Sequence, residues 1–223
     1  FGWSRSLLVL VGAAWRALLE LLPSRRKARF GDLDYDWEQS ADTTRSNVGF
    51  GTQFLTGLMA RPYFATEPWL FEQIMQALPI DFSQFTFVDL GSGKGRVLLM
   101  ASDYSFQRIV GVEFMTSLHR AAQQNIASYS SDRRRCPQIE AVCLDARDFQ
   151  FPLEPIVMYL FNPFSEATFS QVLENLRRSI EQAPRPCYIA YRFKEFENLL
   201  ANSGWLERIA GAEQWAVYKN RRD

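Results

Sequence analysis

Phe87-Val88-Asp89-Leu90-Gly91-Ser92-Gly93-Lys94-Gly95-Arg96 is the stretch that decides the fold of this chain. An apolar run closes on an acid and then turns through glycines spaced Gly-x-Gly-x-Gly. Helix-compatible residues, Val97 to Ser102, follow at once. The pattern is a strand, a tight turn and a helix start, the arrangement that brings backbone close to a nucleotide-like ligand. Gly91 and Gly93 suit such a turn because they carry no Cβ to collide with that ligand. A dinucleotide fingerprint asks for Gly-x-Gly-x-x-Gly. Here the sixth position is Arg96, and Gly95 comes one place early.

Working outward, the chain alternates between strand and helix patterns. Strands are expected at Phe85–Leu90, Arg108–Glu113, Ile139–Leu144, Ile156–Phe161 and Cys187–Tyr191. Helices are expected at Lys94–Asp103, Thr116–Tyr129, Glu166–Gln182 and Lys194–Asn202. The helical spacing is clear in Leu118, Ala122, Ile126 and Tyr129, and again in Phe169, Val172, Leu173, Leu176 and Ile180. Such alternation implies a parallel sheet with helices on both faces. Two last strand-like runs, Trp205–Ile209 and Gln214–Tyr218, flank the short Gly211-Ala212 turn and must pair antiparallel. The expected fold is therefore α/β, a doubly wound, mostly parallel seven-stranded sheet with an antiparallel C-terminal hairpin.

Upstream, residues 6–22 are strongly apolar, with Arg5, Gly12, Arg16 and Glu20 on one narrow helical stripe. The uncharged run is too short to span a bilayer comfortably. The basic cluster Arg25-Arg26-Lys27-Ala28-Arg29 follows Pro23. This reads either as an interfacial membrane helix with its cluster near anionic headgroups, or as a helix that packs on the domain or a second subunit. A cleaved signal sequence fits less well, because no small-residue cleavage site stands out. Residues 30–66 are irregular, with interleaved aromatics and a short helix near Gln53–Ala60. Thr66 is the expected N-cap of a helix over Glu67–Leu78, which Pro79 stops. Three regions result: residues 1–29 as helix and basic linker, 30–80 as an N-terminal cap and substrate segment, and 81–223 as the ligand-binding domain.

The bulk numbers exclude several classes. With 223 residues, 47% of them apolar and 22% charged, the chain is an ordinary globular protein. A formal net charge of zero argues against a nucleic-acid partner. The Arg133-Arg134-Arg135 run reads as a solvated loop. Cys136, Cys143 and Cys187 form no Cys-x-x-Cys and share the chain with a single histidine, His119, so a metal site is not expected. The cysteine pattern suits a reducing, cytoplasmic compartment. Cys143 and Cys187 are expected in the core, and His119 in a structural role.

Three further elements bear on chemistry. Glu113 ends the second strand, where an acid can accept hydrogen bonds from both hydroxyls of a ribose. Its spacing suits an adenosyl or a dinucleotide ligand. Leu144-Asp145-Ala146 follows the third strand, offering a carboxylate to an exocyclic amine and a backbone N–H to a ring nitrogen. Tyr159-Leu160-Phe161-Asn162-Pro163-Phe164 ends the fourth, where open α/β sheets place their ligands. Asn162 stands there as an orienting amide, with Phe161 and Phe164 as pocket walls.

In this order the elements resemble a class I S-adenosylmethionine-dependent methyltransferase, over about Phe85 to Tyr218. The loop and Val110-Gly111-Val112-Glu113 also look like those of the Dot1-like and mitochondrial FAM173-like protein-lysine methyltransferases. The resemblance implies S-adenosylmethionine as cofactor. Asp89, Gly91, Ser92 and Gly93 would hold its amino-acid part, Glu113 its ribose, and Asp145 and Ala146 its adenine, with Asn162 close by. Asn162-Pro163-Phe164 departs from the Asn-Pro-Pro-Tyr/Phe of adenine and glutamine N-methyltransferases, which weakens the case for a planar nitrogen acceptor. The implied reaction is an in-line methyl transfer to a protein lysine, another amine or a small molecule.

For such a transfer the protein mainly orients and desolvates. Asn162 is the candidate orienter, and Glu67, Asp42 or Tyr191 the candidate proton acceptors. Asp42, Thr43, Phe164 and Tyr191 are the candidate acceptor contacts. Rival readings are a non-catalytic scaffold on the same fold, a dehydrogenase, or an aminopropyltransferase. The intact loop with Glu113 and Asp145 argues against the first. Arg96 and the terminal hairpin argue against the second, and the lack of a concentrated acidic motif after the fourth strand against the third.

Overall fold

A computed structural model of the chain describes residues 35–36, 41–43, 65–161, 163–193 and 195–221. The expected helices at 6–22 and Gln53–Ala60, the Arg25–Arg29 cluster and Asn162 lie outside them. The strands are β1 (Thr86–Leu90), β2 (Arg108–Glu113), β3 (Ile139–Cys143), β4 (Ile156–Phe161), β5 (Cys187–Arg192), β6 (Leu206–Gly211) and β7 (Trp215–Asn220). The helices are α1 (Pro68–Gln76), α2 (Arg96–Ala101), α3 (Thr116–Ser128), α4 (Glu166–Gln182) and α5 (Glu197–Ala201), with 3-10 turns at Phe82–Gln84 and Ala146–Asp148.

The strands form one sheet in the order β3-β2-β1-β4-β5-β7-β6. The first five run parallel, and β7 and β6 close it antiparallel, with β7 beside β5. The expected fold is thus the observed one. β1 lies at the centre with every residue buried, as a parallel strand covered on both faces is, and it carries the polar Thr86 and Asp89 into that interior.

Alternating side chains send two sets of residues to two cores. On the upper face, Phe87, Ile109, Val157, Tyr159, Ala190 and Val217 meet Phe71 and Ile74 of α1 and Leu98 of α2. On the lower face, Val88, Val110, Met158 and Ile189 meet α4 and α5. α4 buries Phe169, Val172, Leu173, Leu176 and Ile180, the stripe read from its periodicity. Each such side chain contributes about 1.5–3 kcal/mol of burial. That stripe holds α4 flat on the sheet, while Ser165 caps its start by accepting a bond from the Thr168 N–H.

Three expectations need correction. Thr66 does not cap α1; Glu67 occupies that position without a side-chain bond. Pro68 forces Glu67 into extended backbone (φ −71°, ψ 137°), so the helix starts one residue later. The Thr66 hydroxyl lies instead 2.8 Å from that of Tyr159, inside the protein. Cys143 is exposed, because β3 is an edge strand and only half covered, whereas Cys187 is buried on β5 as expected. α2 and α5 are shorter than their sequence patterns suggest. Gly95 at φ +83° keeps Lys94 in the turn before α2, and non-helical backbone at Phe196 (φ −113°, ψ 35°) makes it the N-cap of α5.

Candidate functional site

Strand order reverses at β1: the chain winds β1-β2-β3 in one direction and returns to β4 on the other side. Crevices of open α/β sheets form at such a reversal, beyond the carboxyl ends of the strands. The loops after β1, β2, β3 and β4 all open there.

The β1 loop is shaped by left-handed glycines, with φ +83° at Gly91 and +54° at Gly93. It is sewn to β2, since the Gly91 and Ser92 N–H groups both donate to the Val112 carbonyl, at 2.8 and 3.0 Å. A Cβ on Gly91 would stand 2.4 Å from Pro163 Cβ. The glycine therefore lets the loops after β1 and β4 close against each other, a demand made by protein rather than by ligand. The Ser92 hydroxyl is buried and finds no partner among the described residues.

Asp89 and Glu113 share the upper side of this edge, and both are buried. Glu113 ties the loop down: its carboxylate accepts from the Gly93 N–H at 3.0 Å and the Met115 N–H at 2.8 Å. Burial pushes the Asp89 carboxyl well above the ordinary range, and the nearby Glu113 charge pushes it further. Glu113 is raised by burial too, against the pull of the N–H groups it accepts from. Two buried acids on neighbouring strands make a site that gains from a cation and rejects an anion.

Asp145 caps the 3-10 turn by accepting from the Arg147 N–H at 2.9 Å. Its carboxylate also pairs with the Arg147 guanidinium at 2.7 Å. Hydrogen bonding from Arg147 lowers the Asp145 carboxyl below its usual value. Ala146 is buried beside the lower core.

The proposed acceptor contacts fall into two groups. Asp42 and Thr43 stand at the far end of the glycine loop. The Asp42 carboxylate lies 3.0 Å from Lys94 Nζ, and its N–H donates to Asn125 Oδ1 at 2.9 Å. Asn125 in turn donates to the carbonyls of Asp42 and Lys94, at 3.1 and 2.9 Å. Thr43 is fully buried, accepting from Arg96 Nε at 2.6 Å and donating through its hydroxyl to Asp36. Arg96 also bonds Asp36 at 3.1 Å and packs over the Tyr35 ring. These residues fasten the N-terminal segment to the loop. Phe164 and Tyr191 lie on the lower side, where Tyr191 packs on Phe169 and accepts from the Phe196 N–H at 3.1 Å. Of the three candidate proton acceptors, Glu67 reaches the upper strand-end row, in an ion pair with Arg192.

Lys94, Arg96, Asn125 and Asp36 were not read from the sequence as part of this assembly. Their bonds between the N-terminal segment, the loop and α3 span 31 to 83 residues, and no local period signals them. The one available sign was charge in the turn and first helical position of a segment that is otherwise fully apolar.

The family described as histone methylation protein DOT1 matches residues 60–136. Comparison with curated proteins yields no match. Among solved structures, the chain is similar to a predicted N6-adenine-specific DNA methylase from Listeria monocytogenes str. 4b F2365, at 13% identity and a TM-score of 0.54, covering 74% of this chain and 53% of that one. It is also similar to the 23S rRNA methyltransferase ErmE, at 13% identity and a TM-score of 0.49, covering 72% and 70% of the two chains. The chain has the class I S-adenosylmethionine-dependent methyltransferase fold and resembles the DOT1 histone methylation proteins over residues 60–136.

Proposed function

We propose that this chain is an S-adenosylmethionine-dependent methyltransferase. The observation that carries the reading is the pair of buried carboxylates, Asp89 and Glu113, at adjoining strand ends around a left-handed glycine loop. A dinucleotide brings an anionic pyrophosphate to the glycine turn, where the Asp89 carboxylate would repel it, whereas Glu113 suits the ribose of either ligand. S-adenosylmethionine brings an ammonium and a sulfonium, which Asp89 would favour. When bound, it supplies an electrophilic methyl group.

Asp89 holds the amino-acid end in this reading, with the buried Ser92 hydroxyl as a further donor or acceptor, while the Gly91, Ser92 and Gly93 N–H groups are spent on Val112 and Glu113 and fix the shape of the turn. Glu113 keeps acceptor capacity for ribose hydroxyls, since each carboxylate oxygen has two lone pairs and the backbone uses one of each. Asp145 and Ala146 meet the adenine, and Asn162 orients the acceptor from its place after β4. Glu67 is the proton acceptor best placed for an amine that must arrive neutral. The match to the DOT1 description supports a protein lysine as the acceptor nitrogen.

Calorimetric titration with S-adenosylmethionine and NAD, on the natural chain and on Asp89→Ala, tests the cofactor. Binding of the first, lost in the variant, is expected; binding of NAD alone would overturn the reading. Labelled S-adenosylmethionine added to cell extract with the protein should place label in protein. Label confined to small molecules would remove the lysine assignment.

A further inference from the structure

The upper side of the sheet edge continues past Asp89 to a cluster of buried donors that the cofactor reading does not use. Phe161 of β4, Arg192 of β5 and Trp215 of β7 lie side by side in register. The Arg192 guanidinium stacks 4.0 Å from the Phe161 ring centroid, with its side chain 8% exposed. Its Nη2 meets the Glu67 carboxylate at 2.5 Å. Its Nε and Nη1 are buried and find no partner among the described residues, and neither does the Trp215 indole N–H.

A guanidinium has five N–H donors, and Nε and Nη1 account for three. Leaving several charged donors unpaired in a buried place is costly. Beyond the one Glu67 contact, the groups left over on Arg192 and Trp215 are all donors, and they match an acceptor-rich group. β5 lies two strands from β1 across β4, or roughly 10 Å from Asp89 at ordinary strand spacing. That places the cluster beside the crevice, on the side away from the expected adenine contacts.

We propose that Arg192 and Trp215 recognise a carboxylate on the methyl acceptor, a role that rests on the methyltransferase reading above. Glu67 is the resident carboxylate: it already seats one oxygen on Nη2 and is itself partly exposed, with 37% of its side chain in solvent. An incoming carboxylate exchanges with it or joins it on the free donors. The exposed aromatic ring of Phe193, 6.4 Å from Phe161, offers the apolar part of the acceptor a surface beside the charge. A lysine side chain alone lacks this group, so its neighbouring residues, or the acceptor molecule itself, must supply the acid.

The test uses acetate as probe on the full chain, read by the Trp215 indole N–H and Arg192 Nε–H resonances in nitrogen-15 spectra at constant ionic strength. Trp215→Phe and Arg192→Met assign the two signals. Acetate should move both saturably, and Arg192→Met should abolish the movement at Trp215. Glu67→Gln removes the competing charge and should tighten acetate several-fold, which tests the idea even if Arg192→Met does not fold. Unmoved resonances, a response to inorganic phosphate alone, or a Trp215 response that survives in Arg192→Met would overturn it. The titration needs no cofactor, so its failure and a failure to bind S-adenosylmethionine are separate results.

Discussion

Gly91→Ala separates two reasons for a glycine at the candidate site. The first is backbone: Gly91 has φ +83°, where an L-residue with a Cβ costs about 1–2 kcal/mol. The second is space: its Cβ would stand 2.4 Å from Pro163 Cβ and 3.2 Å from Pro163 Cγ. Proline is rigid, so the contact cannot be relieved by a rotamer change, and overpacking of this kind costs about 1–3 kcal/mol. Reduced entropy of the unfolded chain returns about 0.4–1 kcal/mol. The expected net loss is about 2–4 kcal/mol.

The molecule provides its own controls. Gly204 has φ +79° with nothing within 4 Å of its Cβ position, so Gly204→Ala isolates the backbone cost, about 1 kcal/mol. Gly95 has φ +83° and a Cβ 3.2 Å from Ala122 Cβ, so Gly95→Ala should fall between. Urea unfolding of the three variants reads the order, with midpoints falling from Gly204→Ala to Gly95→Ala to Gly91→Ala. For Gly91→Ala the loss corresponds to a melting shift on the order of 10 °C. Equal losses for Gly91→Ala and Gly204→Ala would refute the claim that packing of the β4 turn, rather than dihedral freedom alone, requires glycine there.

Two further outcomes follow from the same edge. Arg96→Met removes the guanidinium that both Asp36 and Thr43 bond in a buried site. Breaking a buried pair costs about 3–5 kcal/mol, and release of Asp36 and Thr43 from the body should appear as loss of hydrogen-exchange protection at the Thr43 amide. Unchanged protection there would remove the anchoring role. Asp89 and Glu113 hold their protons more tightly when folded than when unfolded. Their contribution is therefore most favourable below the ordinary carboxylate range and is lost as pH rises through the raised folded values. The stability of Asp89→Asn relative to the natural chain should rise across that window, measured as urea midpoints at a series of pH values. A difference that stays flat with pH would show that Asp89 carries no such burden.

Most of the sheet was legible because its signals are local. β2, β4 and α4 stand where their sequence patterns place them, since apolar runs and a 3.6-residue stripe are read over a few residues. The edges of elements were less legible where a single backbone restraint decides them, as Pro68 does for α1 and the left-handed Gly95 for α2. Cys143 misled because an apolar run does not say whether its strand lies at the centre or the edge of a sheet. Tyr191 looked like an acceptor contact because it ends a strand, but strand parity sends it to the lower core. Arg192, the next residue, takes the upper face, and nothing in the sequence marked it.

Arg96 shows best how a departure from a pattern acquires meaning. In the sequence it was the residue that spoiled a dinucleotide fingerprint. In the folded chain it is among the most buried side chains, and it holds Asp36 and Thr43 from a segment that begins more than 50 positions earlier. A glycine at this place packs a helix against a strand; an arginine fastens a second layer onto the loop. Lys94, two residues before, does the same for Asp42. The glycine turn thus sits between two attachments: Glu113 and Pro163 on one side, and the N-terminal segment on the other. A ligand that orders Gly91–Gly93 and thereby raises the protection of Asp36 and Thr43 must, by linkage, bind more weakly once those anchors are cut, and by the same coupling free energy.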